Sequence, residues 1–459
     1  MNDPSNHLGV AGLPDHGVVS RIAEYVVQNR SKRSSEFARE SALKRIYDLL
    51  SAAAAGKSEP GVIAVRATAT KLLGAGSAPV WFAGVTGSPL AAAWANSAAA
   101  SSLDLDDGHR LARGHPGAAV IPAAFAVAEE TSAGLEELIT AIVIGYEVGV
   151  TIAFARTAYG STGTWATYAV VATCAALRGT PQDVLEHALA IAGESAPNQL
   201  FSSAPPFSLP TPEGSDLKEG IPWSVVTGML ALELAEEGFT GPRNLLESTL
   251  FYNFRNAPAL GEAQHICTSY FKLYACCRHI HPPIDASLQL IRQHSIDAKD
   301  IEKIDVETYS GALRITNKTH PISLVDVQYS IPFCLALVAV YGPSALLPLA
   351  SDVLTLEALP DLARKVSVTL DAEIDSKFPA QTLARVTITS KGQRFTSEIT
   401  APRGEGGDPL SWLELEDKFT AVTQSALSDD QRRSVFGAIE RLRDDGDLRQ
   451  LQACLSELS

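Results

Sequence analysis

The sequence predicts a mainly α-helical protein with an α+β second unit. Three observations carry that expectation. Residues 88–260 are rich in Ala and Leu at helical spacing, and Ala is the best helix former and lets helices approach closely. Near Ser269 the pattern changes to short segments that alternate apolar and polar residues, as half-buried strands do. Past a Gly/Pro-rich stretch at 402–409 the helical period returns.

Taken in order, residues 1–16 are polar, carry Pro4, Gly9, Gly12 and Pro14, and read as a mobile tail. From Val18 to Ala55 the apolar positions Ile22, Tyr25, Val26, Ala42, Ile46, Leu49 and Leu50 fall on helix faces. Helices are expected at 88–103, 116–130, 135–158, 170–177, 181–190 and 223–237, punctuated by Gly and Pro. Strands are expected at 300–309, 365–370, 384–389 and 394–400, with Gly392 supplying a turn and a helix at 331–340. Segments 413–422 and 429–442 are amphipathic. The resulting division is a large helical-bundle domain from 17–268 and 405–459, with an α+β domain at 269–404 inserted between its halves.

The chain has 459 residues, enough to bury a core without disulfide or metal staples. Its 46% hydrophobic and 19% charged content exclude global disorder. Lys+Arg 37 against Asp+Glu 52 leaves −15, a poor match for nucleic acid or an anionic membrane. The six Cys form no CxxC pair, so zinc-ribbon and thioredoxin-like chemistry are not expected, and so few Cys suggest a reduced, cytoplasmic setting. The longest apolar run, 138–155, is interrupted by Glu147, Gly145 and Gly149, so no membrane span is expected.

Four clusters could carry chemistry. Asp104, Asp106 and Asp107 precede His109 and His115, a set able to bind a metal, move protons or cap a helix, with Gly114, His115 and Pro116 leading into one. Tyr159 to Trp165 places Thr162 and other hydroxyls before a helix, where they could bind a carboxylate or simply cap. Lys218 beside Glu219 is either a surface pair or a carboxylate clamp. Lys272, Arg278, His279, His281 and Asp285 lie among apolar residues at the junction of the two units, and clefts between domains are frequent ligand sites. Two His two positions apart, without a third ligand nearby, do not suggest a metal. There is no phosphate loop, GxSxG elbow or HExxH helix. Proton transfer with anion binding, without metal or organic cofactor, is the expected chemistry.

These clusters, in this order, resemble the MmgE/PrpD family, whose members include 2-methylcitrate dehydratases, cis-aconitate decarboxylases and iminodisuccinate epimerases. The matching blocks are 103–122, 145–148, 238–242, 272–286, 328–332, 402–404 and 408–411, spread over Ile22 to Leu451. Each is short, but their joint order is specific. The resemblance implies that the α+β unit is a lid over the helical domain, with the active site between them, and that the protein is a homodimer acting on a small di- or tricarboxylate without cofactor. It places the family's aspartate on Asp104, its histidine before Pro on His115, its lysines on Lys218 and Lys272, and its junction histidine on His281, with His279 as alternative. Gly108 stands where some decarboxylases carry Thr. Gly160 stands where many members carry a histidine, leaving His109 or Tyr159 to fill part of that role.

On this basis Lys218, Lys272 and Arg278 are expected to hold the substrate and stabilise charge next to a carboxylate. His115, held by Asp104, and His281 are expected to transfer protons, and His109, His279, Thr162 and Tyr159 to contact substrate. The expected activity is a dehydratase-type, carbon–oxygen lyase on a citrate-like acid. The alternatives are an epimerase or decarboxylase on a related polycarboxylate, or a non-catalytic relative that binds an anion.

Overall fold

The computed structural model describes residues 17–197, 216–444 and 446–458; the tail expected at 1–16 lies outside them. Among the described residues, nine helices make up most of the first half: α1 (Val18–Asn29), α2 (Glu36–Gly56), α3 (Pro60–Leu72), α4 (Pro89–Ser101), α5 (Gly117–Thr131), α6 (Leu135–Ala155), α7 (Gly163–Arg178), α8 (Gln182–Ser195) and α9 (Ile221–Glu236). A short hairpin of β1 (Ala78–Val80) and β2 (Val85–Gly87), not foreseen from the sequence, separates α3 from α4.

Local chemistry sets several of these boundaries. Ser35 and Ser88 accept from the backbone N–H of Ala38 and Ala91 and start α2 and α4. Glu137 accepts from the Gly134 N–H at 2.7 Å and starts α6. Helix α6 is long and apolar enough to cross a membrane, but it is buried on all sides among the other helices. It packs on α7, which in turn packs on α9. A helix that is apolar all round is at home in the core of a large protein.

Among the described residues two large apolar cores form, beside a small cluster of Ala69, Ala91 and Trp94. The first is built from the helices before residue 272 and from Leu415, Phe419, Val435, Ile439, Leu442, Leu451 and Leu455 of the helices Trp412–Thr423, Asp429–Asp444 and Leu448–Glu457. The second gathers residues 274–388 around a four-stranded sheet. Its strands β3 (Ile301–Thr308), β4 (Val366–Leu370), β5 (Ala384–Ser390) and β6 (Gln393–Thr396) lie in the order β4-β3-β5-β6. β3 and β4 are parallel, with Val306 opposite Val368, and the other pairs are antiparallel. Lys391 and Gly392, both at positive φ, form the two-residue turn between β5 and β6, a conformation whose twist matches the strands it joins. The helix Ile331–Tyr341 is buried along most of its length in this second core.

Leu103 and Leu105 belong to the second core although they follow α4 of the first. The loop that carries Asp104, Asp106 and Asp107 therefore lies where the two cores meet.

Candidate active site

That loop is turned by Asp104 itself, which adopts φ 54°. The left-handed conformation is tolerated by Asp better than by most residues, and it lets Asp104 face away from its neighbours. Both Lys218, just before α9, and Lys272 contact Asp104 Oδ1 as ion pairs, and Lys272 also donates to the Asp104 carbonyl at 3.2 Å. All three residues are buried. Burial alone would raise the Asp104 pKa, but the two ammonium groups and His115 outweigh it and hold the carboxyl below its usual range. Burial likewise works against the charge of Lys272, and Asp104 and Asp106 overcome it, so its pKa is raised.

His115 sits 3.8 Å from Asp104 Oδ1 through Nε2 and 3.4 Å from Lys218 Nζ through the same atom. Its Nδ1 lies 3.1 Å from the Asp107 carbonyl and 3.1 Å from Asp106 Oδ2. These partners fix the tautomer of the neutral ring. Nδ1 faces only acceptors and carries the hydrogen; Nε2 faces an ammonium and presents its lone pair. The Nδ1–H is aligned on the Asp107 carbonyl, and Asp106 lies beside that bond rather than along it, so both Asp106 oxygens are left without a hydrogen-bond donor. Burial works against its ionisation, yet His115 and the lysines hold Asp106 below its usual range. The sequence reading has Asp104 holding His115. In the structure Asp106 and the Asp107 carbonyl flank Nδ1, while Asp104 lies 3.8 Å from Nε2 and also carries the lysine pair.

Asp104, Asp106 and His115 offer ligand atoms within 4.8 Å of one another. The two ammonium groups already on Asp104 Oδ1 oppose a divalent cation there, so the donor set does not fit a metal.

Asp107 has the capping role that its sequence context allowed. It accepts from the Gly117 N–H at 3.0 Å, at the start of α5, and from the Tyr146 hydroxyl at 2.8 Å. Burial pushes its pKa up to about 6 despite Arg45. A Cβ at Gly117 would lie 2.4 Å from Asp107 Oδ1, so this approach requires glycine. Behind the loop, Lys418 of the helix Trp412–Thr423 bonds Asp48 at 2.6 Å and the Leu105 carbonyl at 2.9 Å. Leu105 stands between Asp104 and Asp106, so this buried ion pair braces both.

Thr162, expected to touch substrate, has its hydroxyl committed. It donates to Glu219 Oε2 at 2.5 Å and accepts from the His115 backbone N–H at 3.2 Å. Glu219 Oε1 accepts from the Tyr329 hydroxyl at 3.1 Å. Tyr159 lies under Arg113, with the guanidinium 5.3 Å from the ring centre. Tyr159 is 38% exposed. At Gly160 a Cβ would fall 2.5 Å from Arg156 Cζ, so the space next to this backbone is taken by the Arg156 guanidinium.

The junction residues divide. Arg278 donates to the Phe271 and Arg403 carbonyls at 3.1 and 2.8 Å and to Glu405 at 2.7 Å, and stacks over Tyr270. It ties segments together and is not part of the lysine cluster. His281 Nδ1 lies 3.3 Å from the Arg278 guanidinium, which can only donate, and Nε2 lies 3.3 Å from the Cys276 carbonyl, which can only accept. Both ring nitrogens are therefore used, and burial and Arg278 push its pKa well down. This arrangement leaves His281 no nitrogen for proton transfer. His279 uses Nδ1 on the Tyr309 hydroxyl at 2.6 Å, and burial lowers its pKa to about 4. His109 bonds Thr268 at 2.9 Å and packs edge-on against His265, away from the lysines. Burial, with His265, pushes its pKa well down.

The structure therefore gathers Asp104, His115, Lys218 and Lys272, with Thr162 in direct support. It sets His109, Arg278 and His281 in other contacts. Asp106 and Glu219 stand in the sequence clusters without an assigned role, and Tyr329 and Lys418 are not among the expected site residues.

Comparison with known proteins adds the following. Residues 20–254 match the MmgE/PrpD N-terminal domain and residues 274–442 the MmgE/PrpD C-terminal domain. Cis-aconitate decarboxylase of Aspergillus terreus is 26% identical, over 80% of this chain and 81% of that protein. Cis-aconitate decarboxylase-like protein oryM of Aspergillus oryzae is 23% identical, over 80% and 82%.

Proposed function

The chain belongs to the MmgE/PrpD family, and from that premise we propose that it is a cofactor-independent lyase acting on a citrate-like di- or tricarboxylate. The observation that carries this reading is His115 Nε2 facing the buried Lys218 ammonium, with Lys272 on the same Asp104 oxygen as Lys218. The lysines hold a substrate carboxylate and take up the charge that develops beside it. His115, once protonated on Nε2, lies between the Asp104 and Asp106 carboxylates. Residues 269–404 act as a lid that brings Lys272 to this group.

Decarboxylation is the reading best supported. Loss of CO₂ leaves an electron pair on the neighbouring carbon; a proton that His115 Nε2 has first taken up, from the Lys218 ammonium or from solvent, quenches it, and solvent restores the donor. The names of the two relatives agree with this choice. Dehydration, the expectation from sequence, also needs a proton for the departing hydroxyl. His279, bonded to the Tyr309 hydroxyl, is the group that keeps this second reading open.

A panel of di- and tricarboxylates, including cis-aconitate and 2-methylcitrate, followed by ¹H NMR in D₂O, tests the proposal. Released CO₂ with deuterium at the former carboxyl-bearing carbon supports decarboxylation, and a new alkene without CO₂ supports dehydration. Deuterium exchange alone marks an epimerase. No change and no binding across the panel overturns the assignment.

A further inference from the structure

Glu219 is 6% exposed and adopts φ 58°, a conformation costly for a residue with a Cβ and most often met at functional sites. Its carboxylate receives three neutral donors: the Thr162 N–H at 3.3 Å, the Thr162 hydroxyl at 2.5 Å and the Tyr329 hydroxyl at 3.1 Å. Its own carbonyl accepts from the Gly163 N–H at 2.9 Å, at the start of α7. Glu219 therefore links the strand of chain before α7, the loop before α9 and the Tyr329 segment of the second core.

The direction of these bonds matters. A carboxylate only accepts, so Thr162 must spend its hydroxyl hydrogen on Glu219. That leaves the Thr162 oxygen lone pairs free for the His115 backbone N–H at 3.2 Å. Glu219 is also next in sequence to Lys218, whose ammonium meets Asp104 and lies 5.7 Å from the Tyr329 ring centre. One carboxylate thus bears on the position of both His115, through Thr162 and the His115 backbone N–H, and Lys218, its neighbour in sequence. The neighbouring residue Gln328 reaches the Ser102 carbonyl at 2.9 Å, just ahead of the Asp104 loop, so the same short segment of the second core steadies both loops.

We propose that Glu219, acting through Thr162, is a positioning residue that fixes His115 and Lys218 for proton transfer and makes their alignment depend on the docking of Tyr329. It rests on the reading of His115 as the proton carrier. Displacing a proton carrier by about 1 Å can slow turnover by about a hundredfold without removing binding groups.

Thr162→Val keeps the shape and removes both hydroxyl bonds, Thr162→Ser restores them, and Glu219→Gln leaves one oxygen in place of two. Two measurements are made on the full-length protein: the ring ¹H and ¹⁵N signals of His115 without substrate, and kcat and KM on the acid that the wild type turns over. Thr162→Val and Glu219→Gln should shift the His115 signals and lower kcat by about tenfold or more, with KM changed less than about threefold, and Thr162→Ser should return both towards wild type. A KM rise equal to the kcat loss would make Thr162 a substrate contact and overturn the proposal, as would unmoved His115 signals. If Thr162→Val does not fold, Glu219→Gln and Thr162→Ser decide. If the wild type turns over no acid in the panel, the functional reading fails, and the His115 signals still judge the positioning role.

Discussion

Asp106 Oδ2 lies 3.1 Å from His115 Nδ1, on the side of the ring opposite Lys218. Among the described residues no well-aligned donor reaches Asp106, and the nearby ring and lysines hold its carboxyl below the usual range against its burial. Asp106→Asn should lower kcat by about a hundredfold or more, the scale of a positioned proton-transfer group, with little change in KM. Steady-state kinetics on the acid that the wild type turns over would check this. A loss confined to KM would move Asp106 from proton transfer to substrate binding.

Lys272 and Lys218 share Asp104, so each is held by a carboxylate that competes with an incoming one. Removing a charge-assisted contact costs roughly 1.5–3 kcal/mol. Lys272→Ala should therefore raise KM by about tenfold or more. Unchanged kinetics would take Lys272 out of the site.

Asp104→Asn removes that competitor. Binding of a non-reactive tricarboxylate, measured by calorimetry, should tighten by about tenfold even as turnover falls. Weaker binding in this variant would mean that Asp104 organises the lysines for substrate instead of occupying them.

Burial holds His279 near pKa 4, against 6.5 for an unhindered ring, so the unfolded chain binds more protons between those values. The stability tied to neutral His279 is present above pH 6.5 and is lost as pH falls towards 4. Relative to His279→Gln, the wild type should lose at most roughly 3 kcal/mol across that window. Asp107, raised from 3.8 to about 6, works in the other direction because its contribution fades as pH rises, but both proteins carry it and it cancels. Urea denaturation at several pH values would show the two curves converging on acidification. Parallel curves would mean that His279 titrates normally.

Arg278 holds Glu405 and two carbonyls. Arg278→Met should cost about 3 kcal/mol of stability, as breaking a buried ion pair does, and Arg278→Lys should recover only part of it because the forked contacts are lost. Denaturation midpoints test this. An intact midpoint with a large KM increase would return Arg278 to the substrate-binding set.

Much of this was legible in the sequence. Helical spacing gave the course of the bundle, and alternation located β3, β4 and β5, although β6 stops at Thr396, short of the 400 expected. Helix α7 begins at Gly163, seven residues before the expected start, because Thr162 already has helical φ and ψ. The order of motifs pointed to Asp104, His115, Lys218 and Lys272. Which of three neighbouring carboxylates faces His115 was not legible, because it depends on the left-handed turn at Asp104. Glu219 looked like the surface partner of Lys218, but its own left-handed backbone sends it to Thr162. Arg278 and His281 are three residues apart across a 3₁₀ turn, a spacing that brings side chains over one another, and that contact occupies His281. Lys418 left no signal, because its partners are hundreds of positions away in the chain.

The Leu105 carbonyl waits for a lysine 313 residues further along. As a ribosome extrudes the polypeptide, the acidic loop emerges early and lacks its brace until the Trp412–Thr423 helix has been synthesised and has folded back. A nascent or prematurely terminated product that stops before residue 418 would hold every proton-handling group named above and still be unable to set them in register.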